Sequence, residues 1–261
     1  MFWVHSGPGD LSFITWAADR SRTDAENGVR RAYEEIRERL DAADLVILNE
    51  RVFGEVSTAG SVAEIRAAAL GGNTDNVVIP PTYIEGAPCV GDGVAGIHVI
   101  AAHPSTTDSV ETVVWEGAPF GRRVTGDEAS YLALSDPARL LSSEARAHPA
   151  DEAREALLLV GDVLQEHDWS FADVRRTWFY LDDILSWYDD FNRARNDVFR
   201  KFGLLNGSST SMIPASTGIR GCNARGHRCT FDLLAARPLE GGEFDVQRLY
   251  NPLQNEAPEY G

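Results

Sequence analysis

The stretch of sequence that decides the fold runs from Val174 to Pro238 and contains four segments. In order, they are Val174-Arg-Arg-Thr-Trp-Phe-Tyr-Leu181, Ile184 to Phe202, Pro214-Ala-Ser-Thr-Gly-Ile-Arg-Gly221 and Cys229-Thr-Phe-Asp-Leu-Leu-Ala-Ala236. β-Branched, aromatic and apolar residues in the first and last segments predict strands. Apolar residues recur at a helical spacing in the second segment, which predicts a helix that ends at Gly203. The glycines of the third segment predict a turn, so the order is strand, helix, turn, strand.

Two further elements precede this stretch, a strand at Tyr131-Leu-Ala-Leu-Ser135 and a helix from Ala153 to His167. The complete order includes Pro-Ala-x-Thr at residues 214–217 and an apolar strand that ends in Ala-Ala-x-Pro at residues 235–238. It resembles the second half of the RidA (YjgF) fold, over about residues 124–238. The resemblance implies an α+β fold in which helices pack on one face of a mixed sheet.

The first part of the chain shows the same order of elements. We predict two short strands within Phe2–Ala18, a helix to Asp41 opened by a capping box at Thr23 and Glu26, a strand from Asp44 to Phe53, a helix from Ser61 to Leu70 and a last strand from Gly96 to Pro104. Further along, Glu111 to Trp115 is predicted as a strand and Pro119 to Asp127 as a loop.

Two pairs of segments in the two halves also align with each other. Gly96-Ile-His-Val-Ile-Ala-Ala-His-Pro104 aligns with Thr230-Phe-Asp-Leu-Leu-Ala-Ala-Arg-Pro238, and Thr82-Tyr-Ile-Glu-Gly86 aligns with Thr217-Gly-Ile-Arg-Gly221. A nearly constant shift indicates an internal repeat, although two α+β halves could share such a pattern by chance. We predict two tandem RidA-like units at residues 1–104 and 105–238, followed by an extended tail at residues 239–261.

Composition and charge exclude two classes of partner. The chain is 43% hydrophobic and 25% charged, as soluble globular proteins are, and no apolar run reaches the roughly 18 residues of a membrane span. The net charge is −16, and the single lysine, Lys201, is accompanied by scattered arginines. Binding of nucleic acid requires clustered basic residues, so we expect neither a nucleic acid nor a membrane as partner.

The compartment is predicted from the N-terminus and the cysteines. Met1-Phe-Trp-Val-His-Ser6 lacks the basic and apolar regions of a signal peptide. Three cysteines, Cys89, Cys222 and Cys229, cannot form a complete set of disulfides. We therefore expect a cytoplasmic protein.

Two motifs lack the context that their chemistry needs. Gly91-Asp-Gly-Val-Ala-Gly96 matches a dinucleotide-binding pattern, but that pattern requires a helix after the glycines and a strand is predicted here. Cys222, His227 and Cys229 lack the spacing and the fourth ligand of a zinc site. We expect neither a metal nor another cofactor.

Two positions depart from the pattern of imine-deaminating RidA proteins. Those proteins carry an arginine after Pro-Ala that binds the substrate carboxylate, whereas this chain has Ser216 there and Pro81 in the first unit. They also use a glutamate on the last strand for proton transfer. The matching residue here is Thr230, with Asp232 two residues further along the same strand face, and His98 is at the place of Asp232 in the first unit. Both departures argue against simple imine deamination.

The candidate catalytic residues are Asp232 and Cys222. Asp232 lies in an apolar strand, where desolvation favours the protonated form of a carboxyl group and suits it to acid–base work. The alternative is a structural aspartate, paired with the backbone or with Arg220. Cys222 could act as a nucleophile, although a lone cysteine is more often simply buried. Arg220 could instead bind an anionic or carbonyl group of the substrate.

Alternation along the strand at 174–181 places Arg176, Trp178 and Tyr180 on one face, and Phe179 and Leu181 on the other. We assign Phe179 and Leu181 to the core. That leaves Trp178 and Tyr180 for an aromatic substrate or for a subunit contact. The predicted substrate-binding set is Arg220, Trp178, Tyr180, Arg176, Ser216 and Thr230.

The resemblance implies proton-transfer chemistry without a cofactor. We expect an enzyme of secondary metabolism that cyclises, aromatises or hydrolyses a small unsaturated, ring-bearing metabolite, as chorismatases and carbazole-forming cyclases do. Imine or enamine deamination is the second hypothesis, and a non-catalytic unit that completes a site with a partner chain is the third. RidA-like proteins cover an exposed sheet face by trimerising, so we also expect a homo-oligomer, a trimer or a multiple of one, with small-molecule sites between its units.

Overall fold

The structure is a computed structural model that describes residues 2–6, 10–18, 25–71, 74–86, 88, 92–141, 148–205 and 213–243. The chain divides into two compact units, residues 1–135 (unit 1) and residues 136–261 (unit 2). Each unit combines helices with parallel and antiparallel strands, so the predicted α+β class is confirmed. Within the described part of the chain, no helix combines the length and the apolar character needed to cross a bilayer.

Unit 1 begins with most of the elements predicted for the first part of the chain. Its described helices are α1 (Ala25–Ala42), α2 (Ala59–Leu70) and α3 (Thr74–Val78). Its strands are β1 (Phe2–Ser6), β2 (Leu11–Ala17), β3 (Val46–Gly54), β4 (Thr82–Glu85), β5 (Val94–Ala102), β6 (Val110–Trp115), β7 (Ala118–Thr125) and β8 (Ala129–Ser135).

Unit 2 contains the stretch from which the fold was predicted. Its described helices are α4 (Pro149–Glu166) and α5 (Ile184–Lys201), and its strands are β9 (Val174–Leu181), β10 (Ala215–Arg220) and β11 (Cys229–Pro238). Gly203 follows α5 with a φ of 83°, as expected for a helix that ends at glycine. The predicted strand at 174–181, the following helix and the last strand are confirmed.

Five strands of unit 1 form a sheet in the order β1-β2-β5-β3-β4. β3 and β4 are parallel, whereas the other pairs are antiparallel. α2 and α3 lie between β3 and β4 in the sequence, because a parallel pair needs a long crossover. β6, β7 and β8 form an antiparallel meander.

The strands of unit 2 have the same local arrangement as β4, β3 and β5. β10 is parallel to β9, β11 is antiparallel to β9, and α5 is the crossover from β9 to β10. The turn predicted at Pro214–Gly221 is therefore wrong, because residues 215–220 form strand β10. The strand signal is weak there since most of β10 is exposed or half-buried and carries few large apolar residues.

The loop predicted between Pro119 and Asp127 is also wrong. A tight turn at Glu116 and Gly117, with φ values of 48° and 79°, reverses the chain into β7. Phe120 of β7 is completely buried. Only glycine fits at position 121, because an added Cβ would lie 2.1 Å from a carbonyl oxygen of the neighbouring strand. A glycine gives no strand signal in the sequence, so the strand was not predicted there.

Some predictions concern residues that the structure does not describe or boundaries that it does not test. Thr23 of the capping box and residues 244–261 of the tail lie outside the described residues. The compact units divide after residue 135, but compactness does not test where a repeat begins. The boundaries at residues 104 and 238 therefore stay predictions.

A buried ion pair joins α2 to the sheet of unit 1. Glu50 on β3 accepts hydrogen bonds from Tyr33 Oη at 2.6 Å and from Arg66 Nε at 2.8 Å. Arg66 also donates to three carbonyl oxygens within residues 76–79, at 2.7–3.2 Å. Glu50 and Arg66 are only 3% and 4% exposed. Each charge is thus stabilised by protein partners, and burial together with Glu50 raises the pKa of Tyr33 well above its ordinary value.

Replacing Arg66 with methionine should lower the free energy of unfolding by about 3–5 kcal/mol, because Glu50 then becomes a buried charge without its cation. Urea denaturation measures the change. Arg193→Met is the matched control, since Arg193 and its partner Asp190 have side chains that are 60% and 54% exposed and such pairs contribute only about 0–1 kcal/mol. Equal losses in the two variants would contradict a stabilising role for the buried pair.

Candidate functional site

The strand register of unit 2 places most of the predicted site residues on one face of its sheet. Across β10, β9 and β11, Thr217 pairs with Trp178, and Trp178 pairs with Asp232. The next row on the same face joins Tyr180 to Thr230. We call this the site face, and its residues are Arg176, Trp178, Tyr180, Thr217, Ile219, Thr230 and Asp232.

The opposite face, which we call the helix face, packs against the helices of unit 2. The ring of Phe179 lies 4.9 Å from that of Phe191 on α5 and 4.9 Å from that of Phe231 on β11, measured between ring centroids. Phe179 is 1% exposed and Leu181 is completely buried. The assignment of both residues to the core is confirmed.

Ser216 and Arg220 are the predicted binding residues that the structure does not bring to Asp232. Both are an odd number of residues from Thr217 along β10, so they point to the helix face. Ser216 Oγ lies 2.7 Å from Thr177 Oγ1, while Arg220 is exposed. Their grouping with Asp232 is corrected by this alternation, and any binding role for them stays a prediction.

Asp232 is completely buried, as its apolar strand suggests. One carboxylate oxygen, Oδ1, lies 3.4 Å from the backbone nitrogen of Asp136, which makes a long hydrogen bond. Leu233 and Leu234 follow it on β11 and are also buried. The desolvated surroundings match the expectation, whereas catalysis by Asp232 stays a prediction.

Asp136, which was not predicted as a site residue, organises the polar groups beside Asp232. Its Oδ1 accepts hydrogen bonds from Thr230 Oγ1 at 2.6 Å and from Asn223 Nδ2 at 3.1 Å. Asp136 is 5% exposed and has a left-handed backbone, with φ 48° and ψ 62°. The Asp-Pro pair directly after a strand is the signal that could have drawn attention to it.

Arg176 and Trp178 form the accessible part of the site face. Both side chains are half-buried, and the guanidinium carbon of Arg176 lies 5.7 Å from the centroid of the Trp178 ring. Arg176 also donates a hydrogen bond to Thr217 Oγ1. A cation beside an aromatic ring can bind a ligand that carries both an anionic group and a ring.

Cys222 lies in the loop that follows β10 and is separate from the site-face rows. Its Sγ donates to Asp182 Oδ1 at 3.0 Å. Reactive cysteines lie near positive charge, whereas this thiol donates to a carboxylate. The geometry therefore gives Cys222 a structural hydrogen bond, and its role as a nucleophile stays a prediction.

His227 and Cys229, which were considered as metal ligands, surround a buried glutamate. Glu152 of α4 is completely buried, and its Oε1 lies 3.2 Å from His227 Nδ1 and accepts from the backbone nitrogen of Cys229 at 3.2 Å. Burial and Glu152 raise the pKa of the Cys229 thiol well above its ordinary value. Within the described ranges, no three His, Cys, Asp or Glu side chains are grouped so that they could hold a metal ion.

Unit 1 has a row equivalent to Thr217, Trp178 and Asp232. There, Thr82 pairs with Arg51, and Arg51 pairs with His98. Arg51 Nη1 donates to His98 Nδ1 at 3.1 Å, so the ring proton of a neutral His98 is on Nε2. Burial, assisted by the charge of Arg51, lowers the pKa of His98 to about 4.

Comparisons with known proteins bear on the fold. No protein-family model matches the chain, and no curated protein matches it. Solved structures do match: YjgF from E. coli aligns with 52% of this chain and 99% of its own, at 16% identity and a TM-score of 0.37. E. coli TdcF with bound serine aligns with 51% of this chain and 96% of its own, at 15% identity and a TM-score of 0.37.

A chorismatase structure spans much more of the chain. It aligns with 89% of this chain and 78% of its own, at 14% identity and a TM-score of 0.56. The fold is RidA-like. The resemblance predicted from residues 124–238 is thereby confirmed for the fold, and a RidA-like arrangement of helices on one face of a mixed sheet describes both halves of the chain.

His98 should make stability depend on pH. The unfolded chain takes up a proton near pH 6.5, the ordinary pKa of histidine, whereas the folded chain does so only near pH 4. As the pH falls through this window the unfolded state binds more protons, so stability should decrease by about 2–3 kcal/mol and then level off.

Urea denaturation at pH values between about 4 and 7 should reveal this contribution. His98→Gln cannot titrate and should remove that part of the slope, while NMR titration of the wild type should place the pKa of His98 well below 6.5. His148→Gln, at an exposed position, is the control. Parallel pH profiles for wild type and H98Q would contradict the lowered pKa.

Proposed function

We propose that this protein is a cofactor-independent enzyme that acts on a small, unsaturated, ring-bearing metabolite by proton transfer. Hydrolysis, or cyclisation followed by aromatisation, is the proposed reaction class. The observation that carries the proposal is the register that puts Asp232 in one row with Trp178 and Thr217. That row places a desolvated carboxyl group directly beside an accessible aromatic ring.

Asp232 is the proposed acid or base. A carboxyl group that is shielded from water and positioned beside a substrate can transfer a proton to or from it. Asp232 is completely buried in the isolated chain. We therefore propose that the substrate enters over the half-buried Trp178 and that Asp232 acts from the closed end of the row.

The substrate is proposed to carry a ring and an anionic group. Trp178 would form the wall against which the ring packs, and Arg176 would bind the anion beside it. Tyr180, which is only 3% exposed, lies in the next row and would support that wall from within the protein. Thr230 lies in the row next to Asp232 and would contribute a hydrogen bond. The likeness of the fold to a chorismatase supports this substrate class over a simple imino acid, as does the serine at position 216 in place of the arginine of imine deaminases.

The working form is proposed to be a cytoplasmic homo-oligomer. RidA-like proteins assemble into trimers. In this chain, the side of the edge strand β10 is accessible, and Ile219 on it is 42% exposed. The unpaired backbone groups of an edge strand such as β10 can pair with another chain. Native mass spectrometry should detect a trimer or a multiple of it, and a monomer would contradict this part of the proposal.

Asp232→Asn should reduce kcat by about 100-fold or more if Asp232 transfers the proton, because positioned acid–base groups typically contribute factors of 10²–10⁴. The probe substrates are chorismate, as a cyclohexadiene that carries an enol ether, and 2-iminopropanoate formed in situ, as a simple imine. Product formation is followed by chromatography for the first and by ammonia release for the second. Asp189→Asn, an exposed position on α5, is the matched control.

Three outcomes separate the hypotheses. Turnover of chorismate that is lost in D232N but kept in D189N supports the proposal. Ammonia release from the imine without turnover of chorismate would instead identify a deaminase. A wild type that is inactive on both probes and copurifies with a second polypeptide would favour the partner-completing role and make Asp232 structural.

A further inference from the structure

The loop between β10 and β11, residues 221–228, is held by carboxylates from three different elements. Asp182 at the end of β9 accepts from Cys222 at 3.0 Å, and Asp136 accepts from Asn223 at 3.1 Å. Glu152 of α4 lies 3.2 Å from His227. The loop leads directly into Thr230 and Asp232, so these contacts determine where β11 begins.

Asp136 contacts the loop and β11 together, as Glu152 also does, and its contacts on β11 are with the site-face residues Thr230 and Asp232. It accepts from Asn223 in the loop and from Thr230 on β11 through the same oxygen, Oδ1. Its backbone nitrogen lies 3.2 Å from the carbonyl oxygen of Phe231 and 3.4 Å from Asp232 Oδ1. One residue therefore sets the relative positions of four groups around the buried end of the site-face row.

The hydrogen bond from Thr230 has a chemical consequence. A carboxylate only accepts, so the hydroxyl proton of Thr230 is committed to Asp136 at 2.6 Å. Thr230 Oγ1 then presents lone pairs, and no proton, to any further partner. A ligand group near Thr230 would have to be a donor.

The contact with Asn223 extends the effect of Asp136 into the loop. The carboxamide of Asn223 donates to Asp136 and accepts from the backbone nitrogen of Arg225 at 2.7 Å. The backbone nitrogen of Gly226 donates to the carbonyl oxygen of Asn223 at 3.0 Å. Asn223, which Asp136 orients, thus protects the backbone amides of Arg225 and Gly226 from exchange with solvent.

We propose that Asp136 is the positioning residue of this site: it orients the Thr230 hydroxyl as an acceptor and fixes loop 221–228 beside Asp232. The inference deepens the proposed function and rests on it for its catalytic consequence, but its structural part stands on the hydrogen bonds alone. Asp136 itself is 5% exposed and acts through Thr230, Asn223 and Asp232 rather than by contact with substrate.

The left-handed backbone of Asp136 permits a matched pair of variants. Glycine and asparagine both accept a φ of 48° with little strain, so neither should disturb the backbone. Asp136→Gly removes the acceptor, whereas Asp136→Asn keeps an acceptor oxygen of the same reach and removes the charge. Asp44→Gly is the control, since Asp44 is exposed and has a φ of 50°.

Hydrogen–deuterium exchange should separate these variants without any substrate. In D136G, the amides of Arg225 and Gly226 should exchange at least about tenfold faster, because the Asn223 carboxamide loses the group that orients it. D136N should stay close to wild type, and D44G should not change this loop. Unchanged exchange in D136G, or an equal loss in D136N, would overturn the positioning role.

Kinetics test the catalytic part separately. With the probe that the wild type turns over, D136G should lose at least about tenfold in kcat with little change in KM, and D136N should recover most of it. Thr230→Val should lower kcat similarly while leaving loop exchange unchanged. A wild type without turnover would defeat the proposed function but not the exchange result, whereas fast exchange in D136G with wild-type kcat would overturn the catalytic consequence.

Discussion

The register of three neighbouring strands is the constraint on which the candidate site depends. A parallel pair, β10 with β9, and an antiparallel pair, β9 with β11, align Thr217, Trp178 and Asp232 in one row. A shift of one residue in either pair would turn the row to the helix face. The same register puts Ser216 on the helix face and Asp232 on the site face, although the two residues are near each other in the sequence.

Buried carboxylates fix the helices and loops around these strands. In unit 1, Glu50 joins α1 and α2 to β3 through Tyr33 and Arg66. In unit 2, Glu152 of α4 accepts from the start of β11. A buried carboxylate is unfavourable unless donors surround it, so it specifies its partners more strictly than an apolar contact does. Each of these residues therefore restricts which element can pack at its position.

Much of the fold could be predicted from the sequence because the large elements carry regular patterns. The apolar spacing of α1 and α5 and the aromatic alternation of β9 gave elements whose limits differ from the structure by a few residues at most. β7 and β10 were not predicted, because neither shows a regular alternation of apolar and polar residues. In β7 a glycine is required where the neighbouring strand leaves no room for a side chain, and in β10 most residues are exposed or half-buried. Local periodicity detects burial, and these two strands owe their form to hydrogen bonding with neighbours.

The candidate site could be predicted only in part. Alternation within β9 grouped Arg176, Trp178 and Tyr180 on one face, and alternation within β11 grouped Thr230 with Asp232, as the strand register has them. Asp136 was missed because its partners, Asn223 and Thr230, are far away in the sequence. Such contacts depend on strand order and loop path, which no short stretch of residues encodes.

The aspartates with left-handed backbones have a consequence for how this sequence can drift. Asp44, Asp136, Asp168 and Asp183 have φ values between 46° and 61°. Where only the backbone conformation is selected, as at the exposed Asp44 and Asp183, exchange among aspartate, asparagine and glycine should be close to neutral. Asp136 must also accept two hydrogen bonds, so a lineage that acquires glycine there would need a second substitution to replace the lost acceptor. Substitutions at position 136 should therefore be slow and accompanied by a second substitution, whereas Asp44, Asp168 and Asp183 should be replaced independently.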